Sequence, residues 1–178
     1  EPAGMADTAF LRSDQLPGRA ALGYVEIDGV WRSNVLHLPV RGNGDGGIYS
    51  TVADIRLLWE AFFACRVVPA EWVSEMTRPR SHISDNERYG LGFWLDGSGD
   101  AVRLEGYDAG VSFRSWHHPS SGLSHTVISN TNEGAWPLTR ACRSRASAEC
   151  RAAAPKPDRV LPVASSDQGR PRGIGESE

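Results

Sequence analysis

Lysine is almost missing from this chain. Of 19 basic residues among 178, only Lys156 is a lysine. A nucleophile that depends on a lysine one helical turn away has no partner before that position, and Ala153 stands where such a nucleophile would be. Cysteine is scarce as well. Cys65, Cys142 and Cys150 are too few and too widely spaced for a metal site or a disulfide framework. Pairing of Cys142 with Cys150 is left open, and so is the compartment. No apolar run approaches the ~18 residues of a membrane-spanning helix. Charge is nearly balanced, at a formal -3, so neither a nucleic-acid nor an anionic-membrane partner is expected. The five histidines are His37, His82, His117, His118 and His125. His117 and His118 are neighbours that would face opposite sides of a strand, and no carboxylate stands at ligand spacing. Neither a metal nor another cofactor is expected.

What is present argues for packed structure. Forty per cent of residues are hydrophobic, and six Trp, five Phe and four Tyr supply large apolar groups. That suits one domain, or one domain and a tail. The domain is placed at residues 1–153. Residues 154–178, rich in Pro, Ser, Gly and Arg, read as a disordered tail. The chain opens on Glu1 with no signal-peptide pattern, as if cut from a longer one.

Residues 1–18 read as loop. Ala20–Ile27 and Val30–Leu36 read as strands about Asp28-Gly29, a strong two-residue hairpin signal. The glycine-rich run 42–47 lacks the Gly-Lys-Ser/Thr ending of a phosphate loop and reads as a connection. A helix is predicted over Thr51–Ala64, capped by Ser50 or Thr51, with Asp54 approximating a capping box. Its apolar face is Val52, Ile55, Leu58, Trp59 and Phe62. A second helix is predicted over Pro69–Thr77, with Pro69 at its first position and Trp72, Val73 and Met76 inward. Tyr89–Leu95, Ala101–Glu105, Val111–His117 and Leu123–Asn130 follow as strands joined by short turns, which favours an antiparallel meander. A last helix is predicted over Trp136–Arg151. Cys65 reads as a buried small hydrophobe, Trp59, Phe62 and Trp72 as core, and Ser84-Asp85-Asn86 as a solvated loop. Glu60 and Glu71 have no acid partner that would suggest glycosidase chemistry.

The stretch VRLEGYDAGVSFRSWHHP, Val102 to Pro119, is the most informative. A strand reaches a bend at Glu105–Gly110 and a second strand leaves it. A plain hairpin explains the glycines, with Asp108 bonding its own backbone.

Five segments in order give the bend another meaning. EPAGMADTAF, GDGGIYSTVADIRLLW, YGLGFWL, EGYDAGVSF and VISNTN together resemble the C-terminal half of the serine β-lactamase-like hydrolases, from Pro2 to about Asn132. That superfamily includes penicillin-binding proteins, class C-like β-lactamases, D-aminopeptidases and related esterases. The resemblance implies an α+β fold: an antiparallel sheet with packed helices plus part of a helical lobe, the N-terminal half missing. It implies a serine nucleophile in a Ser-x-x-Lys motif, aided by a Tyr-x-Asn or Ser-x-Asn motif. Neither Ser-x-x-Lys nor Tyr-x-Asn exists here, and Ser84-Asp85-Asn86 is out of order for its role. The family's third motif, aligned on Asp108-Ala109-Gly110, puts Leu104 where a His or Lys is usual. Glu105, Gly106 and Tyr107 follow, and the Tyr107 backbone N–H becomes an oxyanion donor. Substrate contacts would fall on Leu104, Glu105, Gly106 and Asp108, with Glu105 itself read as solvent-facing. The implied activity is cleavage of an amide or ester (a β-lactam, a D-amino-acid peptide or a small ester) through an acyl-enzyme, with this chain inactive alone. The alternative is a non-catalytic module that binds peptidoglycan-type peptides or a protein partner. Relatives are mostly exported.

Overall fold

The computed structural model describes residues 2–97 and 99–142. Within them lie eight strands and three helices, an α+β fold with two antiparallel sheets. The first sheet is the expected hairpin. β1 (Tyr24–Ile27) and β2 (Val30–Ser33) reverse at Asp28-Gly29, where φ is 51° and 75°. Positive φ at both positions matches the right-handed twist of the strands. Both strands are shorter than predicted, and they do not join the larger sheet. Every β2 residue is exposed, so no buried face extends the pairing. The hairpin meets the larger sheet at its base. There Tyr24 bridges Thr131, and its N–H donates to the Asn130 carbonyl at 2.9 Å.

α1 (Val52–Phe63) is capped by Thr51, whose hydroxyl accepts from the Asp54 N–H at 3.1 Å. Asp54 does not complete a reciprocal box. Its carboxylate instead accepts from the Asp7 N–H (2.8 Å) and the Thr8 hydroxyl (2.6 Å), tying the opening segment to the helix. Ile55, Trp59 and Phe62 are buried, as the spacing predicts, whereas Val52 in the first turn is half exposed. In α2 (Ala70–Met76), Pro69 is the N-cap rather than the first helical residue. Val73 and Met76 pack on the core, but Trp72 is 53% exposed. A seven-residue helix offers one narrow stripe, and the i, i+3 pair fills it. Cys65 is exposed too, contrary to expectation: it sits past the end of α1 at φ 56°, where the chain turns away from the core.

The second sheet is a meander of β3 (Ser81–Ser84), β4 (Glu87–Tyr89), β5 (Trp94–Asp96), β6 (Val102–Asp108), β7 (Val111–His118) and β8 (Leu123–Ser129). The predicted single strand Tyr89–Leu95 is two, because the chain reverses between Tyr89 and its partner Trp94. Two glycines permit this. Gly92 has φ 82°, and a Cβ on Gly90 would lie 2.1 Å from the Met76 carbonyl oxygen. The β3–β4 hairpin was not foreseen. Ser84-Asp85-Asn86 forms its exposed turn region.

The two faces of this sheet differ sharply. Toward α1 point Val102, Leu104, Phe113, Ser115 and His117. Ile55, Trp59, Phe62, Phe93, Leu95 and Val102 form the buried apolar cluster there. Fully buried Trp59 donates Nε1–H to Ser115 Oγ at 2.7 Å, and Ser115 shares a 2.7 Å bond with Thr126 Oγ1. His117 stacks on Trp59 and Phe63, with Nδ1 2.7 Å from Ser124 Oγ. Desolvation, then the nearby His118, lowers its pKa from 6.5, against the opposing pull of Asp100 and Glu60.

On the opposite face lie Arg103, Glu105, Arg114 and Trp116, and a third helix, α3, over 135–142, meets that face near Ser112 and Arg114. The Arg114 guanidinium sits 4.8 Å from the Trp136 ring, and the Ala135 N–H donates to Ser112 Oγ at 3.1 Å. The rest of the predicted helix Trp136–Arg151, the predicted tail 154–178 and Cys150 fall outside the described residues.

Candidate active site

The five residues singled out from the sequence all lie on the second half of β6. β6 outruns its neighbour on one side: β5 pairs with it only at Arg103 and Val102. From Leu104 to Asp108 that edge meets no described strand, while β7 pairs along the other edge throughout. An open strand edge presents backbone N–H and C=O groups for pairing.

Side chains alternate across this segment. Leu104, opposite Ser115, packs against the apolar cluster under α1. Gly106, opposite Phe113, leaves the same face bare, since a Cβ there would meet nothing within 4 Å. A backbone can be approached closely at such a position. Tyr107 points to the other face and is 75% exposed, edge-on to Trp136 with ring centroids 6.4 Å apart. Asp108 forms the expected local bond, accepting from the Ala109 N–H at 2.7 Å. The bend is therefore a tight hairpin turn at Ala109-Gly110, and β6 runs straight through Gly106 up to it.

Glu105 corrects the sequence reading. It is not solvent-facing, because its side chain is only 17% exposed and lies between two arginines, 3.2 Å from Arg103 and 2.5 Å from Arg114. Arg103 is itself buried, with its guanidinium between the Trp94 and Trp116 rings at 5.0 and 4.9 Å and bonded to Glu87 at 2.8 Å. Two cations hold this carboxylate on the face away from α1. It is structural support for the strand, not a group facing Leu104. The alternation Arg103, Glu105 against Arg114, Trp116 carries this pairing in the sequence, but only once the register is known.

Two asparagines escaped the sequence reading. Asn132 spans the β6–β7 turn: its Oδ1 accepts from the Gly110 N–H (3.0 Å) and its Nδ2 donates to the Asp108 carbonyl (3.1 Å). Asn34, 3% exposed, donates Nδ2–H to the Ala109 carbonyl at 2.9 Å. VISNTN carried the only hint of the first, and nothing local marks the second.

The remaining candidates are dispersed. Among the described residues no group of three or more His, Cys, Asp or Glu could hold a metal ion. His118 faces Asp100 at 4.0 Å. Burial raises the Asp100 pKa, but hydrogen bonds from Ser120 and the charge of His118 outweigh it and hold the carboxyl below its ordinary value.

No family model and no curated protein matches the chain. Solved structures do. The chain is similar to a penicillin-binding protein from Bacillus halodurans, with 33% identity and a TM-score of 0.76 over 80% of this chain and 46% of that one. It is also similar to a D-stereospecific amidohydrolase from Streptomyces sp., at 19% identity and a TM-score of 0.62, over 74% of this chain and 41% of that one. A third likeness is to the D-amino acid amidase from Ochrobactrum anthropi SV3, complexed with L-phenylalanine amide. There identity is 24% and the TM-score 0.57, over 72% of this chain and 40% of that one. The last two bear on the fold alone. The chain spans less than half the length of each of these proteins. The shared fold, with one residue in three identical to the Bacillus protein across four fifths of these 178, places the chain in the serine β-lactamase/transpeptidase-like superfamily.

Proposed function

We propose that this chain is the cleft-wall part of a serine hydrolase that cleaves an amide or ester, its nucleophile lying on residues outside these 178. The domain is taken as residues 1–153, followed by a tail. The observation that carries the reading is the open edge of β6 from Leu104 to Asp108, with Gly106 bare beside it. A carbonyl lying along that edge would receive the Tyr107 N–H as its oxygen gains charge. One such preorganised donor is worth about 3 kcal/mol. A serine Oγ from the absent part forms the new C–O bond, and the amine or alkoxide departs with a proton. Water then cleaves the acyl-enzyme and regenerates the serine. The substrate classes are a β-lactam, a D-amino-acid peptide or a small ester. The neighbours' names, a penicillin-binding protein and two enzymes acting on amides, support that range.

Leu104 favours a second reading. It puts an apolar group where the family usually has a cation, which suits a non-catalytic module that binds such peptides along the same edge. Labelling with a fluorescent penicillin separates the two. The whole gene product carrying this chain should be acylated at a single serine, and the 178-residue chain alone should not react. Turnover of nitrocefin or p-nitrophenyl acetate by the chain alone, abolished by one substitution within it, overturns the first reading. Binding without acylation by the whole gene product supports the second.

A further inference from the structure

The turn after β6 is held far more firmly than a surface hairpin requires. Three consecutive residues, Asp108 to Gly110, have backbone groups bonded to asparagine side chains from distant parts of the chain. Asn132 takes the Gly110 N–H and the Asp108 carbonyl. Asn34 takes the Ala109 carbonyl from the other side. The Asn132 amide has one orientation only, since a backbone N–H can only donate and a carbonyl can only accept. Close backbone approach makes the second contact possible. A Cβ on Gly23 would lie 2.3 Å from Asn34 Nδ2 and 2.4 Å from the Gly110 oxygen. One on Gly110 would lie 2.8 Å from the Tyr24 nitrogen. Both asparagines are anchored in turn. The Asn34 N–H donates to the Gly23 carbonyl at 2.9 Å, and Thr131, beside Asn132, accepts through its carbonyl from Ser112 Oγ at 2.7 Å.

We propose that Asn132 and Asn34 are positioning residues for the reaction described above: they clamp the β6–β7 turn so that the unpaired end of β6, with the Tyr107 amide, keeps one fixed place at the cleft. This rests on the hydrolase reading. With β5 ending opposite Arg103, no described residue pairs with that edge to hold it, so the strand end is steadied through its turn and through β7. An oxyanion donor contributes only while its distance to the developing charge is kept, and small misplacements are costly.

The test follows acylation of the whole gene product by a fluorescent penicillin, over a range of concentrations, in wild type, Asn132→Ala and Asn34→Ala. The limiting first-order constant should fall by about tenfold or more in Asn132→Ala. The half-saturating concentration should change less than the rate does, because binding contacts remain. Amide hydrogen exchange on the 178-residue chain is the second measurement. In Asn132→Ala the Gly110 amide, and the amides of β6 and β7 next to the turn that bond across that pair, should exchange faster, while those of Trp59 and Ser115 keep their protection. If Asn34→Ala unfolds, Asn132→Ala, at a less buried position, still carries the test. A wild type that is acylated beside an Asn132→Ala variant with unchanged rate overturns the clamp and leaves the hydrolase reading intact. A uniform rise in exchange overturns it too, by showing general loosening. A wild type that is never acylated overturns the hydrolase reading and the positioning role together, and local exchange then tells whether the clamp itself exists.

Discussion

Arg103 is the residue on which most of the outer sheet face depends. It is 4% exposed, stacked between two tryptophans, and it neutralises Glu87 and Glu105. Removing it leaves Glu87, whose side chain is 38% exposed, in reach of water and Glu105 still paired with Arg114, so the loss is that of the charge-assisted bonds and the stack, about 1.5–3 kcal/mol. Arg103→Leu should therefore lower the urea midpoint by that equivalent, and Arg103→Lys should recover only part, since an ammonium neither forks nor stacks like a guanidinium. An unchanged midpoint in the leucine variant would show that the stack is incidental. His117 gives a pH-dependent counterpart on the inner face. Its folded pKa lies below 6.5, so the unfolded chain takes up the proton first as pH falls. Its contribution is present above 6.5 and is lost on acidification through and below that value. Unfolding free energy should decline from pH 7.5 to pH 5.5, and the decline should be shallower in His117→Phe. Equal slopes in the two proteins would remove His117 as the cause.

Glycines shape the elements for two different reasons, and substitution separates them. Gly29 has φ 75° and open space around its Cα, so Gly29→Ala pays only backbone strain, about 1 kcal/mol. At Gly23 the φ is ordinary, but a methyl would strike Asn34 and the Gly110 oxygen at under 2.5 Å. Gly23→Ala should cost clearly more, about 3 kcal/mol, because backbone cannot yield as a side chain does. Chemical denaturation of both variants checks the order, and a smaller loss at Gly23 would contradict the close packing of the two turns. The same logic explains where element boundaries were misjudged. Tyr89–Leu95 has the composition of one strand, yet Gly90 and Gly92 fold it into parts of two. The Ser81–Ser84 and Glu87–Tyr89 hairpin has too few apolar residues to show a period, and it forms because β5 offers it a partner.

For the whole molecule, the open edge of β6 and the chain's length relative to its neighbours belong together. One sheet carries a meander whose inner face is closed by α1 and whose outer face meets α3 at Ser112 and Arg114. The edge where chemistry is proposed is closed by nothing among the described residues. The acylation experiment belongs to this level, since the proposed hydrolase draws its nucleophile from residues outside these 178. On the proposed reading, a cleft at that edge would exclude water from the reacting carbonyl and strengthen each donor facing it.

Local chemistry determined a good deal by itself. Asp28-Gly29 dictates its turn, Ser50-Thr51 supplies the cap of α1, with Thr51 the one used, and the spacing of Ile55, Trp59 and Phe62 gives its buried stripe, because each effect acts within a few residues. Five ordered motifs were enough for the superfamily. Tertiary structure alone decided that Glu105 is locked between arginines, that Trp72 and Cys65 lie outside, and that two asparagines grip one turn. Asn34 and Ala109 are 75 residues apart, and Trp59 and Ser115 are 56 apart. Periodicity reports which face of an element is buried. It does not report which distant side chain will meet that face, because that depends on the register and packing of elements formed elsewhere.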